Sequence, residues 1–359
     1  MQFDLLKRRD FITLLGGAMW SLVVWASRSA KMLRVALLAV VTLLAAQLAS
    51  EAQQLQKIPR LCFLSFGPDT LQSQSPRFDA FFDSLRDLGY VNGKTIAIDY
   101  LSADGDGERF PALAAECVRF NADIIVVSTT PAARAAKTVT RTIPILMLAL
   151  GDPVGTGLVD GLARPGGNVT GVSLMAPELA AKRLGLLKEA VPGLTRVLVL
   201  SYLADPIAPL QVTALKEAAR SLGVTPQLQD IRSGDDLAAA FEAGVKARVE
   251  GLITTAESLF IVHRAKVGEL AARNKLPAIY PYSIQVTDGG GLMAYEADIP
   301  DLHRRAAIYA DRILKGAKPS DLPVQQPTKL KFVLSLKIAR ALGLDLPNSI
   351  LALADEVIE

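Results

Sequence analysis

From Ile58 onward, short apolar runs alternate with segments whose apolar residues recur every three or four positions. The runs "RLCFLSF", "TIAIDYL", "ADIIVVS" and "PILMLAL" have the length and composition of strands. Between them, "SPRFDAFFDSLRDLGY", "ERFPALAAECVRF" and "PAARAAKTV" have the spacing of amphipathic helices. This alternation predicts a parallel sheet covered by helices on both faces.

The stretch "RPGGNVTGVSLM" interrupts this rhythm, and a second strand–helix series follows it. The second series includes "LFIVHRAKVGELAARN" as one helix, closes with the helix "DLHRRAAIYADRILKG", and leaves a tail with a strand and a short helix. We therefore expect an α/β fold of two Rossmann-like lobes with parallel sheets, joined by a multi-strand hinge. One continuous doubly wound domain is the alternative.

The expected lobe boundaries follow the Gly/Pro-rich connections. Residues 58–170 with about 295–318 form the first lobe, and residues 171–294 with about 325–359 form the second. The segments 169–174 and 291–296 are the candidate crossing strands. Ligands of open α/β sheets bind beyond the carboxyl ends of the strands, so the residues that follow each strand are the candidates for a site.

In the first lobe, polar or small residues follow three strands. Ser65 and Gly67 follow the first strand, and Asp152 follows the fourth. After the third strand, Ser128, Thr129 and Thr130 precede a proline that suits the first turn of a helix, and the amides of such a helix N-terminus attract carboxylate or phosphate. Ordinary helix capping is the alternative for these three residues, and Asp152 either caps a turn or receives a cationic amine.

In the second lobe, the residues that follow the strands include two tyrosines. Tyr202 and Asp205 follow "RVLVLS", Glu257 and Ser258 follow "GLITT", and Tyr282 follows "PAIYP". Aromatic rings at such positions can stack on a ligand, although packing and turns are the usual roles of each residue alone. We take Tyr202, Asp205, Ser258 and Tyr282 as candidate ligand-binding residues.

Two apolar segments precede the folded body, within residues 1–52. In the first, Arg8 and Arg9 precede Phe11 and an uncharged run, which resembles a twin-arginine export signal. The second begins at Met32, and Ser50 and Ala52 place small residues at a cleavage site before Gln53. We expect an export leader cleaved after Ala52, with Met32 as an alternative start. Retention of one or both segments as membrane helices is the alternative.

Composition and motifs narrow the function classes. The formal net charge of +3 resides in the leader, so the body lacks the basic excess of a nucleic-acid-binding protein. Nothing in the sequence has the pattern of a P-loop, a dinucleotide fingerprint, a nucleophile elbow or a metal site, and we expect no cofactor and no catalytic group. The two cysteines, Cys62 and Cys117, are either buried thiols or a disulfide.

Several motifs together resemble those of ABC-transporter substrate-binding proteins of the tryptophan-binding TrpX-like family, whose fold is the type I periplasmic-binding fold. The resemblance covers the body from Pro59 almost to the C-terminus. The residues that carry it include "TPAARAAK", "TIPILM", "GDPVGTGLVDGLARPGGNVTGVS", "ELAAKRLGLLKE", "GGLMAYEAD", "RILKGAKPSDLPVQQPTK" and "LKIARALGLDLP".

The resemblance implies a monomeric, non-enzymatic receptor in the periplasm. Such a receptor closes two lobes on a small solute, often an amino acid, and presents it to an ABC permease with a partner ATPase. By position, Ser128, Thr129 and Thr130 would hold the carboxylate of the solute, and Asp152 its amine. Tyr202 and Tyr282 would line the second lobe. The segment "SYLADPIAPL" departs from the family pattern, so the second-lobe contacts are the least determined.

Two other functions are compatible with this fold class and with an export signal. An exported sensory module would bind a solute without a transporter, and an exported α/β enzyme would need an activated nucleophile or an acid–base pair. A sugar-responsive transcription regulator would need an N-terminal helix-turn-helix, where this chain has apolar segments instead. Neither nucleic acid nor a membrane is an expected partner, apart from membrane contact through an uncleaved leader or the permease.

Replacement of Arg8 and Arg9 by lysine should block export if the first segment is the working signal, because the twin-arginine pathway requires the arginine pair. Immunoblots of periplasmic and cytoplasmic fractions would measure export. Normal export of the variant would contradict use of the first segment and leave Met32 as the working start.

Overall fold

The computed structural model describes residues 58–68, 70 and 76–359. The leader expected within residues 1–52 lies outside the described residues. The part of the chain that the structure describes contains no helix long and apolar enough to cross a membrane. The architecture consists of two α/β lobes, each with its own sheet, which confirms the predicted fold class.

The first lobe contains a five-stranded parallel sheet in the order β2-β1-β3-β4-β5. Alternate residues of β1 point to opposite faces, so that Leu61 and Phe63 pack in one core cluster and Cys62 and Leu64 in another. The strands are β1 (Arg60–Ser65), β2 (Ala97–Ser102), β3 (Ile124–Val127), β4 (Ile145–Leu150) and β5 (Val169–Ser173). The helices on its two faces are α1 (Asp79–Asp87), α2 (Phe110–Arg119), α3 (Thr130–Val139) and α10 (Ile299–Leu314), which arrives from later in the chain.

The second lobe contains a seven-stranded sheet in the order β12-β11-β10-β9-β8-β6-β7. All of its strand pairs are parallel except β10 with β11. Its strands are β6 (Arg196–Ser201), β7 (Thr225–Asp230), β8 (Gly251–Thr254), β9 (Ala278–Tyr280), β10 (Met293–Ala297), β11 (Leu330–Ser335) and β12 (Glu356–Ile358). Its helices are α4 (Ala176–Ala190), α5 (Ala208–Leu222), α6 (Asp236–Lys246), α7 (Ser258–Val262), α8 (Arg264–Arg273), α9 (Ile284–Thr287), α11 (Leu336–Leu342) and α12 (Asn348–Leu353).

Two elements of the second lobe differ from the expectation. The helix predicted over 259–274 breaks at His263 into α7 and α8, directly after Ile261 and Val262, whose β-branched side chains are less favourable in helices. The tail contains an additional helix, α11, and an additional edge strand, β12. The pattern of a short edge strand is too brief to be recognised from sequence.

The chain passes between the lobes three times. It leaves the first lobe after β5, returns to it after β10 through Asp298, and leaves again between Gln325, which pairs with β5, and β11. The first crossing lies between the end of β5 at Ser173 and the start of α4 at Ala176. Strand β5 contacts both neighbours closely. Thr170 donates a hydrogen bond to the carbonyl of Leu322, in the segment that returns from α10. Gly171, at φ +140°, lies so close to the backbone of Met147 in β4 that a side chain would not fit.

A disulfide joins Cys62 of β1 to Cys117 of α2. Their Cα atoms are 5.6 Å apart, and both residues are fully buried. The bond resolves the alternative that the sequence left open. It ties the central part of the first sheet to a helix on its face and closes a loop with a sequence separation of 55 residues.

Cys62→Ser with Cys117→Ser should lower the free energy of unfolding by about 4 kcal/mol, because the cross-link reduces the conformational entropy of the unfolded chain. Thermal unfolding with and without a reductant would measure the effect. The reductant should lower the melting temperature of the wild type by several degrees and leave that of the double variant unchanged. Equal melting temperatures for oxidised and reduced wild type would contradict this expectation.

Candidate functional site

Two adjoining cavities lie between the lobes, at the carboxyl ends of both sets of strands. Their volumes are about 190 Å³ and about 20 Å³, and Ser128 and Ser258 line both. The smaller cavity is lined by Ser128, Thr129, Thr130, Ala149, Leu150, Gly151, Leu174, Asp205, Ile207, Ala256, Ser258 and Tyr282. The larger cavity is lined by Phe66, Gly67, Pro68, Arg77, Phe78, Ser128, Ser258, Ile261, Val262 and Arg264.

The N-terminus of helix α3 forms the first-lobe wall of the smaller cavity. Thr129 is the N-cap residue, and its Oγ1 accepts a hydrogen bond from the Ala132 amide at 3.3 Å. Ser128 Oγ donates to the Leu64 carbonyl at 3.0 Å, which fixes the end of β3 against β1. The partial positive charge of the helix N-terminus therefore lies at the cavity wall, a suitable place for a carboxylate.

Asp205 contributes a buried carboxylate from the second lobe. It follows β6, is only 5 % exposed, and its Oδ1 accepts a hydrogen bond from the Ile207 amide at 3.1 Å. Burial raises the pKa of the Asp205 carboxyl to about 7, although the Ile207 amide and the charge of Arg134 act in the opposite direction. An ammonium group bound in the smaller cavity would favour the ionised form.

Asp152 lies apart from the two cavities. Its Oδ1 accepts hydrogen bonds from the amides of Val154 at 3.1 Å and Gly155 at 2.9 Å, and it lines neither cavity. The carboxylate thus caps the turn after β4, which is one of the two roles expected for it. That Asp152 receives the amine of a solute stays a prediction.

Three other candidate residues lie at different depths. Gly67 lines the larger cavity, whereas Ser65 is fully buried behind it and donates to the Gly67 carbonyl at 3.4 Å. Tyr202 lines neither cavity; its hydroxyl lies against Gly107 of the first lobe, where an added Cβ would be 3.5 Å away. Tyr202 therefore contributes to contact between the lobes rather than to the cavity wall.

Tyr282 lines the smaller cavity and is part of a polar network beneath it. Its hydroxyl donates to the Ala256 carbonyl at 3.0 Å, and the Ala256 amide donates to Gln211 Oε1 at 2.9 Å. Gln211 Nε2 donates in turn to Glu257 Oε1 at 2.8 Å, and Thr255 donates to the other oxygen of Glu257. This network fixes the second-lobe wall of the cavity.

Glu257 was not among the expected site residues, although it directly precedes Ser258. It is 2 % exposed, and burial, together with the nearby charge of Asp205, raises the pKa of the Glu257 carboxyl to about 8. A glutamate after a buried strand was the only sequence signal for it. The position of the Glu257 carboxylate depends on the hydrogen bond from Gln211, 46 residues earlier in the chain, and no local sequence pattern connects these two residues.

Arg77 and Arg264 were also missed, because neither follows a strand. The Arg77 guanidinium lies 4.9 Å from the ring centroid of Phe78 and 5.5 Å from that of Tyr282, so it spans the two lobes. Arg264 begins α8, directly after the break at His263. Both arginines line the larger cavity.

The lobes are in close contact beside the smaller cavity. A Cβ at Gly151 of the first lobe would collide with the Ile207 side chain of the second, and a Cβ at Gly155 would lie 2.7 Å from Leu210. Glycine at these two positions allows this approach. The structure therefore represents a closed cleft.

Comparison with known proteins places the chain in one family. Residues 72–358 match the model of the family described as ABC transporter substrate binding protein. The chain belongs to this family. The predicted resemblance to ABC-transporter substrate-binding proteins is thus confirmed, and the family consists of binding proteins rather than enzymes.

Three relatives show the range of the similarity. A tyrosine-binding protein of Clostridioides difficile is 28 % identical over 74 % of this chain and 75 % of its own. The structure of an ABC domain in complex with L-Trp from Streptococcus pneumonia is 28 % identical, with a TM-score of 0.76 over 84 % of this chain and 99 % of the other. A ligand-free, open substrate-binding protein with adhesive properties from Clostridium difficile is 27 % identical, with a TM-score of 0.59 over the same shares of the two chains.

At nearly equal identity and coverage, the L-Trp complex is much more similar to this chain than the open, ligand-free protein. This difference agrees with the contact between Gly151 and Ile207. The fold is the type I periplasmic-binding fold, and the lobes are arranged more as in the L-Trp complex than as in the open, ligand-free protein.

Asp205→Asn should stabilise the ligand-free protein increasingly as the pH rises from 5 to 7. An unfolded aspartate releases its proton near pH 4, whereas the folded Asp205 keeps it to about pH 7. Within this window the native state binds more protons, so the free energy of unfolding falls by about 1.4 kcal/mol per pH unit in the wild type. Asparagine does not titrate, so the free energy of unfolding of the variant does not fall in this way. Its side-chain oxygen still accepts the hydrogen bond from the Ile207 amide.

Melting temperatures at pH 5, 6, 7 and 8 without ligand would measure this effect. Asp83→Asn is the matched control, because Asp83 is an exposed aspartate of the first lobe that pairs with Arg86, and this variant should follow the wild type at each pH. A constant difference between Asp205→Asn and the wild type across the range would contradict the raised pKa of Asp205.

Proposed function

We propose that this protein captures an amino acid or a related carboxylate between its two lobes and delivers it to an ABC permease driven by a partner ATPase. The observation that carries the proposal is the composition of the smaller cavity. The N-terminus of α3 approaches it from one lobe, and the buried carboxylate of Asp205 approaches it from the other. A group with both a carboxylate and an ammonium complements this pair.

The polar groups are arranged to bind a zwitterion in one orientation. The solute carboxylate lies at Ser128, Thr129 and Thr130, at the positive end of helix α3. The hydroxyls of Thr129 and Thr130 are the proposed donors, because the hydroxyl and amide of Ser128 both donate to the Leu64 carbonyl. The solute ammonium lies at Asp205, which ionises when the cation arrives. Reversal of the solute would place its ammonium at the positive end of a helix and its carboxylate beside a buried carboxyl, which is unfavourable at both ends.

Binding is coupled to closure because the two groups belong to different lobes. In an open cleft the solute contacts either α3 or Asp205, whereas in the closed cleft it contacts both. A ligand with better contacts in the closed state shifts the population toward that state. The closed shape is the form that a permease recognises, and no catalytic group is required.

The relatives support an amino acid as the solute. One is named as a tyrosine-binding protein and another was solved with L-Trp. In this chain the larger cavity offers Phe66, Phe78 and Ile261 to a side chain, next to the smaller cavity that holds the polar end. This arrangement suits a solute with a compact zwitterionic end and a longer substituent.

The same proposal places the protein in the periplasm as a monomer. The leader within residues 1–52 supplies the export signal, and the disulfide between Cys62 and Cys117 agrees with an oxidising compartment. Ser128, Thr129, Thr130, Asp205, Ser258 and Tyr282 are the proposed contacts of the zwitterionic end. Ser65, Gly67 and Tyr202 support the cleft, and Asp152 caps a turn.

Thr129→Asp should abolish binding of amino acids without loss of the fold. Aspartate is a good N-cap, so helix α3 keeps its cap, but the added negative charge repels the carboxylate of the solute. Melting temperature against a panel of amino acids would detect binding, since a ligand at 100 times its dissociation constant stabilises a protein by about 2.7 kcal/mol. The affinity should fall by at least tenfold.

Thr138→Asp is the matched control for this experiment. It adds the same charge to the same helix at an exposed position that lies in neither cavity, and it should bind as the wild type does. Wild-type affinity in Thr129→Asp would remove the helix N-terminus from the site. A wild type that no amino acid or carboxylate stabilises would overturn the proposed function.

A further inference from the structure

Two arginines from opposite lobes line the larger cavity. Arg77 belongs to a short 3₁₀ helix (Pro76–Phe78) of the first lobe, and Arg264 begins helix α8 of the second. None of the described residues that line this cavity is an aspartate or a glutamate. Among the described lining residues the charged groups are thus two cations, and apolar side chains around them strengthen their attraction for an anion.

The guanidinium of Arg77 is oriented by aromatic rings and not by an acid. It lies against the rings of Phe78 and Tyr282, and among the described residues it makes no ion pair. Stacking of this kind occupies the faces of the guanidinium and leaves its N–H donors, which lie in its plane, available for a ligand.

Arg264 is held more firmly but is also incompletely paired. One terminal nitrogen donates to the Ile261 carbonyl at 3.1 Å, and the other lies 3.3 Å from Asp288, whose carboxylate is about half exposed to water. Asp288 therefore neutralises Arg264 only in part, because water competes for its half-exposed carboxylate.

We propose that Arg77 and Arg264 bind a second anionic group of the solute, at the end remote from its ammonium. The preferred solute is then an amino acid whose side chain ends in a carboxylate or another anion. The inference rests on the proposed function, because it takes the zwitterionic end to lie in the smaller cavity. Phe78, Ile261 and Val262 contact the part of the solute between its two ends.

The two arginines also couple the distal anion to closure. In the closed cleft Arg77 of the first lobe and Arg264 of the second line one cavity. An anion that contacts both arginines gains a contact that the open cleft cannot offer. A solute that lacks the anion gains less from closure and shifts the population toward the closed state less effectively.

Matched pairs of compounds test this inference with the purified protein. L-glutamate and L-glutamine differ in charge but hardly in shape, and so do 4-carboxy-L-phenylalanine and 4-carbamoyl-L-phenylalanine. Isothermal titration calorimetry would give each dissociation constant. We expect the anionic member of at least one pair to bind at least tenfold more tightly than its amide.

Three variants locate the discrimination. Arg77→Gln and Arg264→Gln should each reduce the preference for the anionic member by about tenfold, with little effect on the affinity for the amide. Arg312→Gln is the matched control, because the Arg312 guanidinium also lies over a tyrosine ring, 6.0 Å from the centroid of Tyr309, but outside both cavities. It should keep the full preference.

Several results would overturn the inference and leave the proposed function intact. These are equal affinities within both pairs, tight binding of neutral amino acids such as L-tryptophan but not of either anionic compound, or an equal loss for both members of a pair in Arg77→Gln and Arg264→Gln. The last result would mean that the arginines hold the α-carboxylate. If no amino acid binds to the wild type, both the inference and the proposed function fail.

Discussion

Asp205 is buried at the cleft with a single hydrogen bond to its side chain, from the Ile207 amide, within the part of the chain that the structure describes. A carboxylate in such a place is unfavourable when ionised and unpaired, which is why burial raises its pKa. The arrangement becomes favourable when a cation enters the smaller cavity. In the proposed binding mode, the ammonium of the solute is this cation, and the other contacts of the solute are arranged around it.

The wall beneath Asp205 is connected to the segments that cross between the lobes. Glu257, Gln211 and Tyr282 form one side of it, and the fully buried Arg183 lies within the electrostatic influence of Tyr282, Glu257 and Glu296. Arg183 donates from helix α4, just after the first crossing, to the Tyr295 carbonyl of β10, just before the second. The buried polar groups beneath the site and the hydrogen bond between two segments near the lobe crossings thus lie close enough to interact electrostatically.

The sequence allows the fold to be predicted well because periodicity is a local property. The βα alternation identified most strands and helices, and the rule that ligands bind beyond strand ends directed attention to Ser128, Thr129 and Thr130. Asp152 and Asp205 show the limit of this reasoning, since each precedes a proline after a buried strand. Asp152 accepts hydrogen bonds from the amides of Val154 and Gly155 and so caps its own turn. Beside Asp205, in contrast, Ile207 packs against the first-lobe backbone at Gly151. Gly151 and Ile207 are far apart in the sequence, so no local pattern predicts their contact.

In the proposed binding mode, the walls of the two cavities assign the ends of the solute. The smaller space lies between a helix N-terminus and a buried carboxyl, whereas the adjoining space of about 190 Å³ has aromatic and aliphatic walls. Charge gives the same assignment, since Asp205 lies at the smaller cavity and Arg77 and Arg264 at the larger one. In this binding mode, a solute that enters in the reverse orientation places its distal anion at Asp205 and its ammonium at Arg77 and Arg264, so it meets like charge at both ends. The proposal therefore makes specificity depend on the order of charges along the solute as much as on its shape.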